Sequence, residues 1–140
     1  MEKEELKQVH DEGARIICSY LDQGKNIVFL TLGDPTVYST YLYIHKRVRK
    51  KGYETEIISG IPSFCAVSAR LNEGLVEKAQ QLHVIPASYQ IAEALELPGT
   101  KVLMKAGQKI QDVKEMLKVS GKNAVMIQNC GMPDEKIYAS

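Results

Sequence analysis

The chain has 140 residues, 44% apolar and 25% charged, and a formal net charge of +1. Those proportions are ordinary for a soluble globular protein, with length enough for one cored domain or for parts of two. Eighteen basic residues are balanced by seventeen acidic ones, so no strong field argues for nucleic acid or a membrane surface as a partner.

Glu2–Asp22 reads as an amphipathic helix, with Leu6, Val9, Ile16, Ile17, Tyr20 and Leu21 repeating at threes and fours. Its first turn is acidic at Glu2, Glu4 and Glu5, which suits the positive end of the helix dipole, and Gly24 is the expected stop. Ile27–Leu32 is a nearly continuous β-favouring apolar run, the pattern of a strand buried on both faces of a parallel sheet. Gly33-Asp34-Pro35 then makes a tight turn, and Val37, Tyr41, Ile44 and Val48 return at helical spacing until Gly52. Tyr53–Ser59 alternates as a second strand and leads into Gly60-Ile61-Pro62-Ser63, where Pro62 suits the first turn of a helix rich in small residues. Leu82-His83-Val84-Ile85 is a third strand, ended by Pro86.

From Ala87 the same grammar restarts. Ile91, Ala92 and Leu95 mark a helix, Lys101–Lys105 a strand, and Ile110, Val113, Met116 and Leu117 a helix closed by Gly121. Ala124–Ile127 is the last clear strand. This alternation predicts an α/β fold with a mostly parallel sheet, divided near Pro86–Tyr89 into parts of two domains, 1–86 and 87–140. Gly33 and Gly60 are expected at one edge of the sheet, the carboxyl edge where ligands bind in open α/β folds.

Cys18, Cys65 and Cys130 are widely spaced and odd in number, which argues against a disulfide framework and against a zinc site. The only basic run, 46–51, falls at a helix end where cations suit the dipole. No signal peptide opens the chain and no apolar run has the length of a membrane span, so a reducing, cytoplasmic setting is the default expectation.

Thr31-Leu32-Gly33-Asp34-Pro35-Thr36-Val37-Tyr38-Ser39-Thr40-Tyr41 resembles the Gly-Asp-Pro motif of the tetrapyrrole (corrin and porphyrin) methylases. In its fuller form it is similar to the precorrin-2 and cobalt-precorrin-2 C-20-methyltransferases. The likeness continues, in the family's order, at Gly60-Ile61-Pro62-Ser63-Phe64, Met104-Lys105-Ala106-Gly107 and Asn129-Cys130-Gly131-Met132. It implies S-adenosylmethionine as cofactor and transfer of a methyl group to C-20 of the macrocycle. Relatives open on a strand and a Gly-Pro-Gly-Asp-type loop that this chain lacks, so the resemblance also implies an internal piece of a two-domain enzyme. Such a piece is expected to be inactive alone and to self-associate, most simply as a homodimer.

By that resemblance, Leu32, Gly33, Asp34, Val37, Ser63, Phe64, Met104 and Cys130 would contact the cofactor. Glycine admits close approach of backbone to ligand, and an aspartate at a turn orders amides or receives an ammonium or hydroxyl. Each has a plainer reading. Gly-Asp-Pro makes a good strand-to-helix turn, Ser63 a helix-start hydrogen-bonder, Met104 a strand core residue and Cys130 a small buried one. Tyr38 is the candidate to help remove a proton at the reacting carbon, with a packing role as its alternative, and His45 reads as a surface or core histidine. No metal is implied, and no nucleic acid or membrane. The rival functions are another methylase of this fold (a different corrin-ring enzyme, or the diphthine-synthase or ribosomal-RNA branches) and a non-catalytic α/β association module.

Overall fold

A computed structural model describes residues 2–87 and 91–139. Packing divides the chain into two units, Met1–Pro62 and Ser63–Ser140. The boundary expected between Pro86 and Ala87 lies inside the second unit, because Leu82–Pro86 is hydrogen-bonded to Thr100–Met104. Residues 88–90, on which part of the expected boundary falls, lie outside the described residues.

The first unit is built on two helices, α1 (Glu2–Asp22) and α2 (Tyr41–Lys50). The threes-and-fours spacing buries Ala14 and Cys18 of α1 against Val48 of α2, with Ile17, Leu21, Ile44 and Tyr53 packed around them. Gly13 lets the helices meet closely, since a β-carbon there would lie 3.1 Å from Ile44 Cδ1. Across the same contact Arg47 Nε–H donates to Asp11 Oδ1 at 2.5 Å, and His10 stacks on Tyr43 with ring centroids 4.8 Å apart.

Two expectations are corrected in this unit. The helix expected from Val37 begins only at Tyr41, because residues 34–39 are spent in a side-chain-closed turn and Tyr38 has a left-handed backbone, φ 51°. Ile27–Leu32 and Tyr53–Ser59 carry the residues of strands but belong to no ladder among the described residues. A strand exists through its neighbour's hydrogen bonds, and these segments lack one. Their apolar side chains stand open accordingly, Val28 at 80%, Leu30 at 86% and Ile58 at 78% exposure.

The second unit runs α3 (Ser63–Arg70), β1 (Leu82–Pro86), α4 (Ile91–Glu96), β2 (Thr100–Met104), a short 3-10 turn at Gly107–Lys109, α5 (Ile110–Ser120), β3 (Val125–Gln128) and β4 (Lys136–Ala139). β1 and β2 pair in parallel, Leu82 opposite Thr100 and Pro86 opposite Met104. Ala87, Ile91, Leu95 and Val113 form the core beside them, joined by Leu103, Ala106 and Leu117. Gly121 ends α5 in the left-handed conformation that its sequence position predicted. β3 pairs antiparallel with β4, a strand the sequence pattern did not announce. Among the described residues no helix is long and apolar enough to cross a membrane.

Candidate functional site

The loop after the first apolar segment is organised by one carboxylate. Asp34 Oδ1 accepts the Thr36 amide at 2.8 Å and the Thr36 hydroxyl at 2.6 Å. Its Oδ2 accepts the Ser59 hydroxyl at 2.7 Å and the Gly60 amide at 3.0 Å. A carboxylate has about four lone-pair sites, and all four are used inside the protein. The Thr36 hydroxyl first, then the Ser59 hydroxyl and the Thr36 and Gly60 amides, hold the Asp34 carboxyl far below the usual range against the opposing effect of burial. Of the two roles open to this aspartate, ordering amides is the one its geometry displays.

Gly33 (φ 74°) precedes it, and the loop containing Gly60 lies so close that a β-carbon on Gly60 would fall on the Gly33 carbonyl oxygen. The two glycines are therefore neighbours, although the segments before them form no sheet edge among the described residues. Leu32 is almost wholly exposed beside them, Val37 is half-buried, and Tyr38 is 42% exposed. Ser39 Oγ accepts the Tyr41 amide at 3.2 Å just ahead of α2, whose N-cap residue Thr40 makes no side-chain capping bond. His45 is buried, its Nδ1 3.4 Å from the Tyr41 hydroxyl, which is the core reading.

The other predicted residues belong to the second unit, on three separate elements. Ser63 is exposed and Phe64 half-buried at the start of α3. Met104, half-buried, ends β2, and its carbonyl accepts the Ala87 amide at 2.7 Å. Cys130, half-buried, lies between β3 and β4. Left-handed backbone recurs in three of the four family-like segments: Gly33 and Tyr38, then Lys105 (φ 58°), then Asn129 (φ 53°) and Gly131 (φ 79°). For residues other than glycine that conformation costs of order 1–3 kcal/mol and concentrates at ligand sites.

The sequence reading missed Thr36, Ser59, Arg70 and Glu135, which hold these loops. Thr36 had a signal, since an aspartate closes a turn on the residue two positions on. Ser59 and Arg70 had none, because Asp34 and Glu135 lie 25 and 65 positions away, and Glu135 joins its near neighbour Gly131 to the remote Arg70.

The family model for tetrapyrrole (corrin/porphyrin) methylases matches residues 1–140. The chain belongs to this family. Among tetrapyrrole methylases it is 33% identical over 104 residues to a probable cobalt-precorrin-2 C(20)-methyltransferase of Methanocaldococcus jannaschii, covering 74% of this chain and 44% of that protein. It is 30% identical over 139 residues to the cobalt-precorrin-2 C(20)-methyltransferase of Salmonella typhimurium, covering 96% and 58%. The chain thus spans about half the length of these curated relatives. The X-ray structure of a cobalamin biosynthetic enzyme, cobalt precorrin-4 methyltransferase, superposes with a TM-score of 0.78 at 19% identity, over 93% of this chain and 60% of that one. That likeness establishes the tetrapyrrole methylase fold. Membership in a methylase family implies a methyl donor.

Proposed function

We propose that this chain belongs to a methyltransferase that moves a methyl group from S-adenosylmethionine to C-20 of precorrin-2 or its cobalt form. The observation that carries the reading is the Asp34 clamp, which draws Gly33 and Gly60 together in the segment that most resembles the family. The names of the relatives support the choice of substrate.

The residues fit the donor. With the Asp34 carboxylate internally saturated, the surface it braces offers backbone groups of Gly33 and Gly60 and the exposed apolar side chains of Leu32 and Ile61. Such a surface suits the uncharged adenosine body of the donor, while its backbone carbonyls can face the donor's cationic sulfonium. The donor supplies an already activated methyl, so the protein's task is chiefly to hold donor and acceptor in line. In this reading Leu32, Gly33 and Val37 bind the donor while Asp34 braces the loops around it. Ser63, Phe64, Met104 and Cys130 complete the contacts, and Tyr38 presents its hydroxyl as the group that assists proton removal. The enzyme acts in the cytoplasm.

Calorimetric titration of S-adenosylmethionine into the chain, with mass spectrometry of precorrin-2 and cobalt-precorrin-2 incubated with the full-length protein, tests the proposal. Saturable binding and a single added methyl at C-20 are expected. Methylation at another ring position would replace the substrate assignment, and no binding by the chain would end it.

A second reading, association through the open apolar segments, is favoured by Val28, Leu30 and Ile58. It predicts a homodimer whose mass by light scattering depends on concentration. A monomer at every concentration excludes it.

A further inference from the structure

Glu135 is engaged on both oxygens: Oε1 accepts Arg70 Nε–H at 2.8 Å, and Oε2 accepts the Gly131 amide at 2.8 Å. Its side chain is only 13% exposed, whereas that of Arg70 is 53% exposed. The Gly131 amide, opposed by partial burial and aided by the Arg70 guanidinium, holds the Glu135 carboxyl below its ordinary range.

These contacts join two elements that the chain keeps far apart. Arg70 is the last residue of α3, the helix that begins with Ser63 and Phe64. Gly131 follows Cys130 in the loop between β3 and β4. That loop is tightly wound. Asn129 and Gly131 are both left-handed, the Met132 amide returns to the Asn129 carbonyl at 2.9 Å, and the Glu135 amide to the Met132 carbonyl at 3.1 Å. Asn129 Nδ2 donates to Asp134 Oδ2 at 2.6 Å. The loop therefore has a definite shape of its own, and the Arg70–Glu135 pair is what ties that shape to α3.

We propose that Arg70 and Glu135 form a positioning pair that fixes the Cys130 loop against α3, and so sets the spacing between two segments of the donor site. The functional half rests on the donor-site reading above; the tie itself does not. With Arg70 half in solvent, the ion pair adds little to global stability. The effect of breaking it falls on local geometry.

The test uses the whole chain with Cys65→Ser, which removes the exposed thiol and leaves buried Cys18 and half-buried Cys130. Iodoacetamide alkylation of Cys130 is followed by peptide mass spectrometry, beside the melting midpoint. Arg70→Gln and Glu135→Gln should each raise the Cys130 rate about tenfold with little change in midpoint. The double variant should be no faster than either, as expected for two residues acting as one unit. Arg70→Lys should restore part of the protection. Arg70→Gln is the safer variant, since that side chain is half in solvent and its loss leaves no cavity. Unchanged rates would overturn the proposal, as would faster rates that track a lower midpoint. Titration of S-adenosylhomocysteine separates the two claims. Weaker binding in the variants supports both. Faster alkylation with equal binding overturns the functional half, and faster alkylation with no binding even by the parent keeps the tie and defeats the donor-site reading.

Discussion

The backbone of Gly60 lies against the carbonyl of Gly33 so closely that no β-carbon fits between them. The Asp34 carboxylate closes the same junction by accepting the Gly60 amide at 3.0 Å. Gly60→Ala must therefore force the two loops apart. Overpacking of this kind costs about 1–3 kcal/mol. Chemical denaturation should show that loss, and donor binding should fall with it. An alanine variant as stable and as tight-binding as the parent would mean the junction yields freely.

Asp34→Ala removes the acceptor of four hydrogen bonds, whereas Asp34→Asn keeps the shape but can accept on only one side. Both should weaken S-adenosylmethionine binding, the alanine variant by about tenfold or more in calorimetry. Asparagine should fall between it and the parent. Equal, parent-like affinity in both would show that the clamp shapes a turn and nothing else.

The clamp also carries a pH signature. The folded carboxyl of Asp34 is depressed below its ordinary value of 3.8, so its contribution to stability is fully present above that pH. It is lost as the pH falls further, toward the folded value. Urea melts of the parent and Asp34→Asn should differ by a constant amount near neutrality and converge in acid. A difference that does not change with pH would count against the clamp.

Tyr53 provides the opposite sign. Its hydroxyl donates to Asp22 at the end of α1, and that contact, helped by partial burial, pushes its ionisation from 10.0 up to about 12. The contact stabilises the fold below the ordinary value and is lost as the pH rises through the folded one. Ultraviolet titration of tyrosinate should show a late-ionising group that disappears in Tyr53→Phe. Persistence of that late step in the variant would assign it elsewhere.

Tyr38 holds a left-handed backbone, at φ 51°. Replacing it by glycine relieves that cost but adds chain entropy and deletes a side chain that is more than half covered, so Tyr38→Gly should be no more stable than the parent in chemical denaturation. Tyr38→Phe keeps the ring and removes only the hydroxyl. If the hydroxyl assists proton removal, both variants of the full-length protein lose turnover while donor affinity stays within about twofold of the parent, the pattern of a group used only in the transition state. Parent-like turnover in Tyr38→Phe removes the hydroxyl from the chemistry.

The sequence by itself determined the helices α1, α2 and α5, the strands β1, β2 and β3, and the Gly-Asp-Pro loop, because periodicity and turn chemistry are local properties. It also placed the chain in its family, since four short segments keep their order and spacing. Only tertiary structure decided how those loops are held. Asp34 reaches Ser59 and Gly60 across 25 and 26 positions, and Arg70 reaches Glu135 across 65. No local pattern encodes such a pairing. The same limit explains Ile27–Leu32 and Tyr53–Ser59, whose composition favours a strand although neither joins a ladder among the described residues. β-propensity describes how a side chain suits a pleated surface, and a strand forms only where another backbone offers its hydrogen bonds.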